Sequence, residues 1–189
     1  MAINLKHSST LYVNHFDPIT KALELLLIKK EVIVTLSYDP VPAANVHAPA
    51  FTHNKFLVFG PLNTLEFLID FFPEPRAFPN DPTNRAIHRM VITDILDNMY
   101  PLYDTNLEEL SRKLNASVTA ITDTDFFLNN SVYAIDCLLA PLLCKCLPTN
   151  NLAPELIRYT MRLEEFFEKK KRAQEIYEIQ QRAEYSSWH

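Results

Sequence analysis

Gly60 is the only glycine in this chain of 189 residues, and that scarcity constrains the fold more than any other feature. At an average usage of about 7%, a chain this long carries roughly 13. A Walker-type phosphate loop, a G-x-G-x-x-G dinucleotide turn and a G-x-S-x-G nucleophile elbow each need two or more glycines, so none can be built here. Turns must come instead from 13 prolines and fourteen asparagines. Asparagine is the next best residue at positive φ.

The totals set further bounds. A formal net charge of -5 and a sequence pI near 5.7 argue against a nucleic-acid binder that relies on its own charge, and no sequence-specific DNA binding is expected. No apolar run approaches the roughly 18 residues of a membrane span, and residues 1–15 hold no signal-peptide-like apolar core, so the chain reads as cytoplasmic with no membrane association. Cys137, Cys144 and Cys146 form no CxxC pair and read as reduced core thiols rather than a zinc or disulfide framework.

The first seventy residues alternate strand and helix signals. Ser9 to Val13 is a short β-branched and aromatic run; Ile19, Ala22, Leu23, Leu26 and Leu27 recur at helical spacing; Val32 to Leu36 reads as a second strand, closed by Asp39-Pro-Val-Pro42. Ala50–Thr52 and Phe56–Phe59 read as a hairpin turning at His53-Asn54, and Leu62, Leu65, Phe67, Leu68 and Phe71 mark a helix. The order is β-α-β followed by β-β-α. Phe72-Pro-Glu-Pro-Arg-Ala-Phe-Pro-Asn-Asp-Pro82 then interrupts the pattern. Its four prolines predict a stiff, extended connector and a domain boundary.

Beyond the connector the chain reads as helical. Asp81 or Thr83 can cap a helix running to Met99, bent or stopped near Pro101. Leu107 to Thr119 continues with Leu110, Leu114 and Val118. Tyr133 to Cys146 is almost wholly apolar and reads as a buried central helix kinked at Pro141. A last helix from Ala153 to about Ala183 turns Leu156, Tyr159, Met161, Leu163, Phe166 and Phe167 inward.

A small α/β unit, a proline-rich connector and an all-helical unit resemble the layout of cytosolic glutathione transferases. Tyr133-Ala-Ile-Asp-Cys-Leu-Leu-Ala-Pro-Leu-Leu143 is similar to the Asp-Cys-Tyr-Leu-Ala-Pro-Leu-Leu helix of the stringent starvation protein A family. His47-Ala-Pro-Ala50 resembles that family's Val-Pro-Thr turn, and from there to Phe72-Pro-Glu-Pro75 the two register without a gap. Tyr159, Met161 and Arg162 resemble the start of its last long helix, whereas Asn106 to Thr124 is where the likeness is weakest. The resemblance implies a glutathione transferase-like fold. It would comprise an N-terminal thioredoxin-like α/β domain over 1–72, a linker over 73–82 and an all-helical C-terminal domain over 83–189.

It also implies where a glutathione site would lie. Pro49 falls at the fold's cis-proline turn, with Ala48 facing the ligand. Asp17 stands where such enzymes often keep a thiol-stabilising residue, and a carboxylate there raises a thiol's pKa rather than lowering it. Tyr12 and Thr20 are possible substitute donors. Gly60-Pro61 stands where glutathione-binding relatives carry Glu-Ser; neither residue has a hydroxyl, and Pro61 has no N–H. Gly instead permits the turn, and Pro is a favoured first helical residue. Tyr12, Asp17, Thr20, Gly60 and Pro61 therefore read as a vestigial glutathione site, with no enzyme activity and no cofactor expected.

The histidines show no H-x-H or H-x-x-x-H spacing, so no metal site is expected, and nothing marks a Ser-His-Asp triad. Lys169-Lys-Lys-Arg172 lies among glutamates and reads as a solvated helix face with i,i+4 pairs. What remains is a surface. Pro73-Glu74-Pro75 matches a Pro-His-Pro segment through which the resembled family contacts RNA polymerase, with Glu74 replacing the histidine. Two prolines hold the residue between them with little entropy left to lose on binding. The resemblance thus implies a non-enzymatic transcription regulator bound to RNA polymerase and σ factor, altering promoter use under starvation or stress, or during intracellular growth. A divergent glutathione transferase or peroxidase, and a nucleotide-sensing subunit of a heterodimer, are the alternatives. A homodimer, or a heterodimer with a paralogue, would place Phe67, Phe71, Ile87 and Met90 at its interface.

Overall fold

The computed structural model describes residues 3–6, 8–15, 17–121 and 123–186, the last six by backbone alone. His7 and His189 lie outside the described residues. Six short strands and a helix pair form an α/β layer: β1 (Ile3–Asn4), β2 (Ser9–Tyr12), α1 (Pro18–Lys29), β3 (Val32–Ile33), β4 (Thr35–Ser37), β5 (Ala50–His53), β6 (Phe56–Phe59) and α2 (Pro61–Phe71). The helical part follows: α3 (Pro82–Asp94), α4 (Leu107–Ala116), α5 (Ala134–Cys146) and α6 (Pro154–Ser186).

The main sheet has the order β4-β2-β5-β6. β2 runs parallel to β4, through the α1 crossover, and antiparallel to β5, which pairs antiparallel with β6. The expected strand Val32–Leu36 is two strands. Its parallel partner changes from β1 to β2, because the chain between them turns at Leu5, whose carbonyl accepts the N–H groups of Ser8 (3.0 Å) and Ser9 (2.9 Å). The hairpin turns at Asn54-Lys55, one residue later than expected, since Asn54 takes the left-handed conformation (φ 52) that a two-residue turn demands. Asn45 and Asn150 also sit at positive φ (61 and 56), the role that scarce glycine leaves to asparagine.

One continuous apolar core joins the layers, from Leu11, Leu23, Leu26 and Phe51 to Leu110, Leu114, Leu138, Leu142 and Tyr159. α5 is its centre, packed against α1, α3, α4 and α6, with Pro141 buried inside the helix without ending it. The helix expected to reach Met99 leaves regular geometry earlier: a π turn over Ile95–Met99 and a 3-10 turn over Tyr100–Leu102 follow α3, adjusting the backbone around Pro101, which cannot donate. In α6, Leu156, Tyr159, Leu163 and Phe167 point inward, but Met161 is 60% exposed, because a 3-4-4 spacing leaves it on the opposite face. The basic run is not a simple solvated face either. Lys170 pairs across the fold with Glu31, and Glu178 accepts from Lys6 at 2.8 Å, so α6 is tied to the α/β layer.

The connector differs most from expectation. It is bent at residues 74–75 and 77–78 rather than extended, and both the Ala48–Pro49 and Glu74–Pro75 bonds are cis. Phe72, Ala77, Phe78 and Pro79 are buried, and the Ala77 carbonyl accepts the Ala134 N–H at 2.9 Å, stitching the connector to the start of α5. Burial of its aromatic residues overrides the tendency of proline-rich chain to stay straight. Two of the three thiols are core groups, Cys137 and Cys146, but Cys144 is exposed, beside Glu164 at 3.6 Å. Partial screening of its sulfur from solvent by the surrounding chain, and that carboxylate, push its thiol up to about 11.

Candidate functional site

The residues expected at a ligand site lie on three chain segments: the start of α1, the cis-proline turn and the start of α2. Asp17 caps α1. Its carboxylate accepts the Ile19 N–H at 2.9 Å and faces the Thr20 hydroxyl at 3.5 Å, while that hydroxyl accepts the Asn14 N–H at 3.2 Å. Thr20 is only 4% exposed, so its oxygen is committed to closing this turn. Burial raises the Asp17 pKa, opposed by the bonds from Ile19 and Thr20. Tyr12 is half-buried in β2, paired with Ala50 and Ser37.

The cis-proline turn and α2 are joined by the Gly60 N–H, which donates to the Pro49 carbonyl at 3.0 Å. Gly60 holds φ 85, the left-handed side that favours glycine, and makes no side-chain cap. Pro61 opens the helix without an N–H. The α2 terminus therefore presents neither a hydroxyl nor its full set of amide donors to an anion.

A cleft of about 1000 Å³ opens between α1, α5 and α6. His15, Asp17, Lys21, Tyr103, Pro141 and Lys171 are among its lining residues, whereas Ala48, Pro49, Gly60 and Pro61 are not. The sequence-predicted residues thus split: Asp17 reaches the cleft, and the turn and α2 residues stand apart from it.

The connector forms a second candidate surface. Pro73 and Glu74 are exposed and Pro75 half-buried. Arg76 donates to Glu74 at 3.0 Å, and the Arg89 guanidinium lies over the Phe78 ring, 5.5 Å from its centroid. Of the predicted dimer residues, Phe71 (42%), Ile87 (40%) and Met90 (72%) are exposed, while Phe67 is half-buried between Phe51 and Phe71. The Ser–His pair Ser9–His53, at 2.7 Å, is no nucleophile: Ser9 is buried, and Asn54 rather than a carboxylate meets the other ring nitrogen. Among the described residues no group of His, Cys, Asp or Glu is placed to hold a metal, and no helix is long and apolar enough to cross a membrane.

Four buried polar residues escape the sequence reading. Asp136 accepts from the Phe127 N–H (3.0 Å), the Tyr133 N–H (2.6 Å) and the Tyr159 hydroxyl (2.5 Å), and burial still pushes it up to about 6. His88 is buried with no hydrogen-bond partner for Nδ1, and burial pushes it down to about 4. Lys29 and Lys30 are buried at the end of α1. The signal for Lys30 was present: it continues the inward stripe of Leu23 and Leu26.

A four-stranded mixed sheet with its cis-proline turn, followed by a helical bundle around one apolar helix, defines the glutathione S-transferase fold. The fold is shared with solved structures of low sequence identity. A Tau class glutathione S-transferase from mango, Mangifera indica, superposes with a TM-score of 0.70 at 16% identity, over 84% of this chain and 89% of that one. Glutathione transferase Omega 3C from Trametes versicolor gives 0.71 at 19%, over 85% and 86%. A glutathione transferase homologue from Burkholderia, with bound glutathione, gives 0.67 at 18%, over 87% and 98%. No family model matches the chain. No curated protein matches it significantly in sequence.

Proposed function

We propose that this chain is a non-enzymatic binding protein on a glutathione transferase fold, a regulator that contacts RNA polymerase and its σ factor through the Pro73–Glu74–Pro75 turn. The observation that carries the non-enzymatic part is the start of α2. A γ-glutamyl carboxylate needs helix amides and a hydroxyl there, and Gly60-Pro61 offers no hydroxyl and one amide fewer. Asp17 adds to this, because its carboxylate opposes thiolate formation at the turn where a thiol would sit. The partner is supported by the resemblance of residues 133–143 and 47–75 to the stringent starvation protein A family and by the exposure of Pro73 and Glu74. Capture of the tagged chain from its native cell should bring polymerase subunits, and replacing Pro73 and Pro75 with alanine should cut that capture several-fold. Capture without polymerase subunits would falsify the reading.

A second reading, a divergent glutathione transferase, is favoured by the fold neighbours, some of which hold glutathione. Calorimetry with millimolar glutathione separates the two. The binding reading expects no saturable heat, and a saturable isotherm favours the transferase.

A further inference from the structure

Lysine is seldom fully buried without a charged partner. Lys30 is 1% exposed, and among the described residues no carboxylate hydrogen-bonds it. Its Nζ donates instead to the Phe72 carbonyl and, at 3.5 Å, to that of Pro73. Lys29, 5% exposed, donates to the Arg76 carbonyl and, at 3.4 Å, to that of Pro75. Four carbonyls of one short segment thus converge on two adjacent ammonium groups.

The chemistry explains the convergence. Buried carbonyls need donors, and a segment containing Pro73, Pro75 and Pro79 is short of N–H groups and belongs to no ladder. An ammonium group carries three donors, and charge-assisted bonds are the stronger kind. Burial, then neighbouring Lys29, pushes Lys30 down to about 8, opposed by Glu74 and Cys137, so at pH 7 the group keeps its proton.

We propose that Lys29 and Lys30 are positioning residues for the Pro73–Glu74–Pro75 turn: they gather its carbonyls inward and so set the outward face that a protein partner meets. The clamp stands on the geometry alone; its link to a partner rests on the function proposed above.

Trypsin reads the clamp directly. Arg76–Ala77 lies inside the clamped segment, and Lys55–Phe56, in the exposed β5–β6 hairpin, is a reference bond on the same chain. Lys30→Met should raise cleavage at Arg76–Ala77 at least fivefold relative to Lys55–Phe56. Lys30→Arg, which keeps the donors, should return the ratio to within twofold of the unaltered chain. An unchanged ratio in Lys30→Met overturns the clamp, and so does a rise that Lys30→Arg fails to reverse. If Lys30→Met does not fold, Lys29→Met carries the same comparison with the same outcomes. Polymerase capture should fall in Lys30→Met and return in Lys30→Arg. Faster cleavage with unchanged capture overturns the presentation half of the proposal. If the unaltered chain captures no polymerase, the function reading fails while the cleavage ratio still decides the clamp.

Discussion

The N-termini of α5 and α2 begin from similar needs, first-turn amides without intrahelical acceptors, four at α5 and one fewer at α2 because of Pro61, and meet them differently. At α5, Asp136 receives three hydrogen bonds in a fully buried site, and the Ala134 N–H reaches the connector at Ala77. At α2 a glycine at φ 85 and a proline leave the terminus without a side-chain cap. α1 lies between them, closed by its own Asp17. Polar groups at the start of α5 are answered by a side chain and by the connector, whereas at the start of α2 the Pro49 carbonyl meets the Gly60 N–H and no side chain caps the terminus.

The sharpest way to break the comparison is Asp136→Ala. It orphans the buried Phe127 amide, the half-buried Tyr133 amide and the buried Tyr159 hydroxyl, so a loss of about 3–5 kcal/mol is expected in chemical denaturation. A loss below about 1 kcal/mol would mean that the α5 terminus is no better held than α2. Next in size is a pH effect at His88. Unfolded histidine takes its proton near 6.5, whereas His88 in the fold resists until about 4. The unfolded state thus binds more protons between those values, and stability contributed by the neutral ring is lost as pH falls from 6.5 to 4. Asp136 works in the opposite sense, since its folded carboxyl takes a proton near 6 and the unfolded one only near 4. The test is therefore a difference: His88→Leu should gain about 1–3 kcal/mol on the unaltered chain between pH 7 and pH 4.5. A constant difference across that range removes His88 from the balance. Smallest are the effects at the N-termini of α1 and α2. Asp17→Ala should cost about 1 kcal/mol through loss of the α1 cap. Gly60→Ala should cost about as much for another reason, the left-handed φ alone, because an added Cβ meets nothing nearer than the Asn63 amide nitrogen at 3.8 Å. Thermal melts of the two variants check both.

Much of this architecture was legible beforehand. Apolar spacing marked α1, α2 and α5 almost to their ends, and the resemblance carried by residues 133–143 and 47–75 implied the fold now shared with solved transferases. The lack of a hydroxyl and of an N–H at Gly60-Pro61 was legible as well, because both are properties of residue type. Other features were not. The split of Val32–Ser37 depends on where the partner strand turns. The exposure of Met161 depends on which side of α6 meets the core. The bent connector depends on burying Phe72 and Phe78, and proline content alone points the other way.

Local chemistry by itself determined three things about this protein: which mechanisms a one-glycine chain cannot build, which segments are helices, and which side chains are missing from the start of α2. Only the tertiary structure decided that Lys29 and Lys30 meet the connector's carbonyls, that Asp136 answers three donors and that, among the described residues, His88 Nδ1 has no hydrogen-bond partner. The reason is physical. Side-chain type and spacing act over a few residues, whereas the cost of burying a charge or an amide depends on groups brought together from distant parts of the chain. Lys30 meets Phe72 across 42 residues of sequence, and no local pattern encodes that meeting.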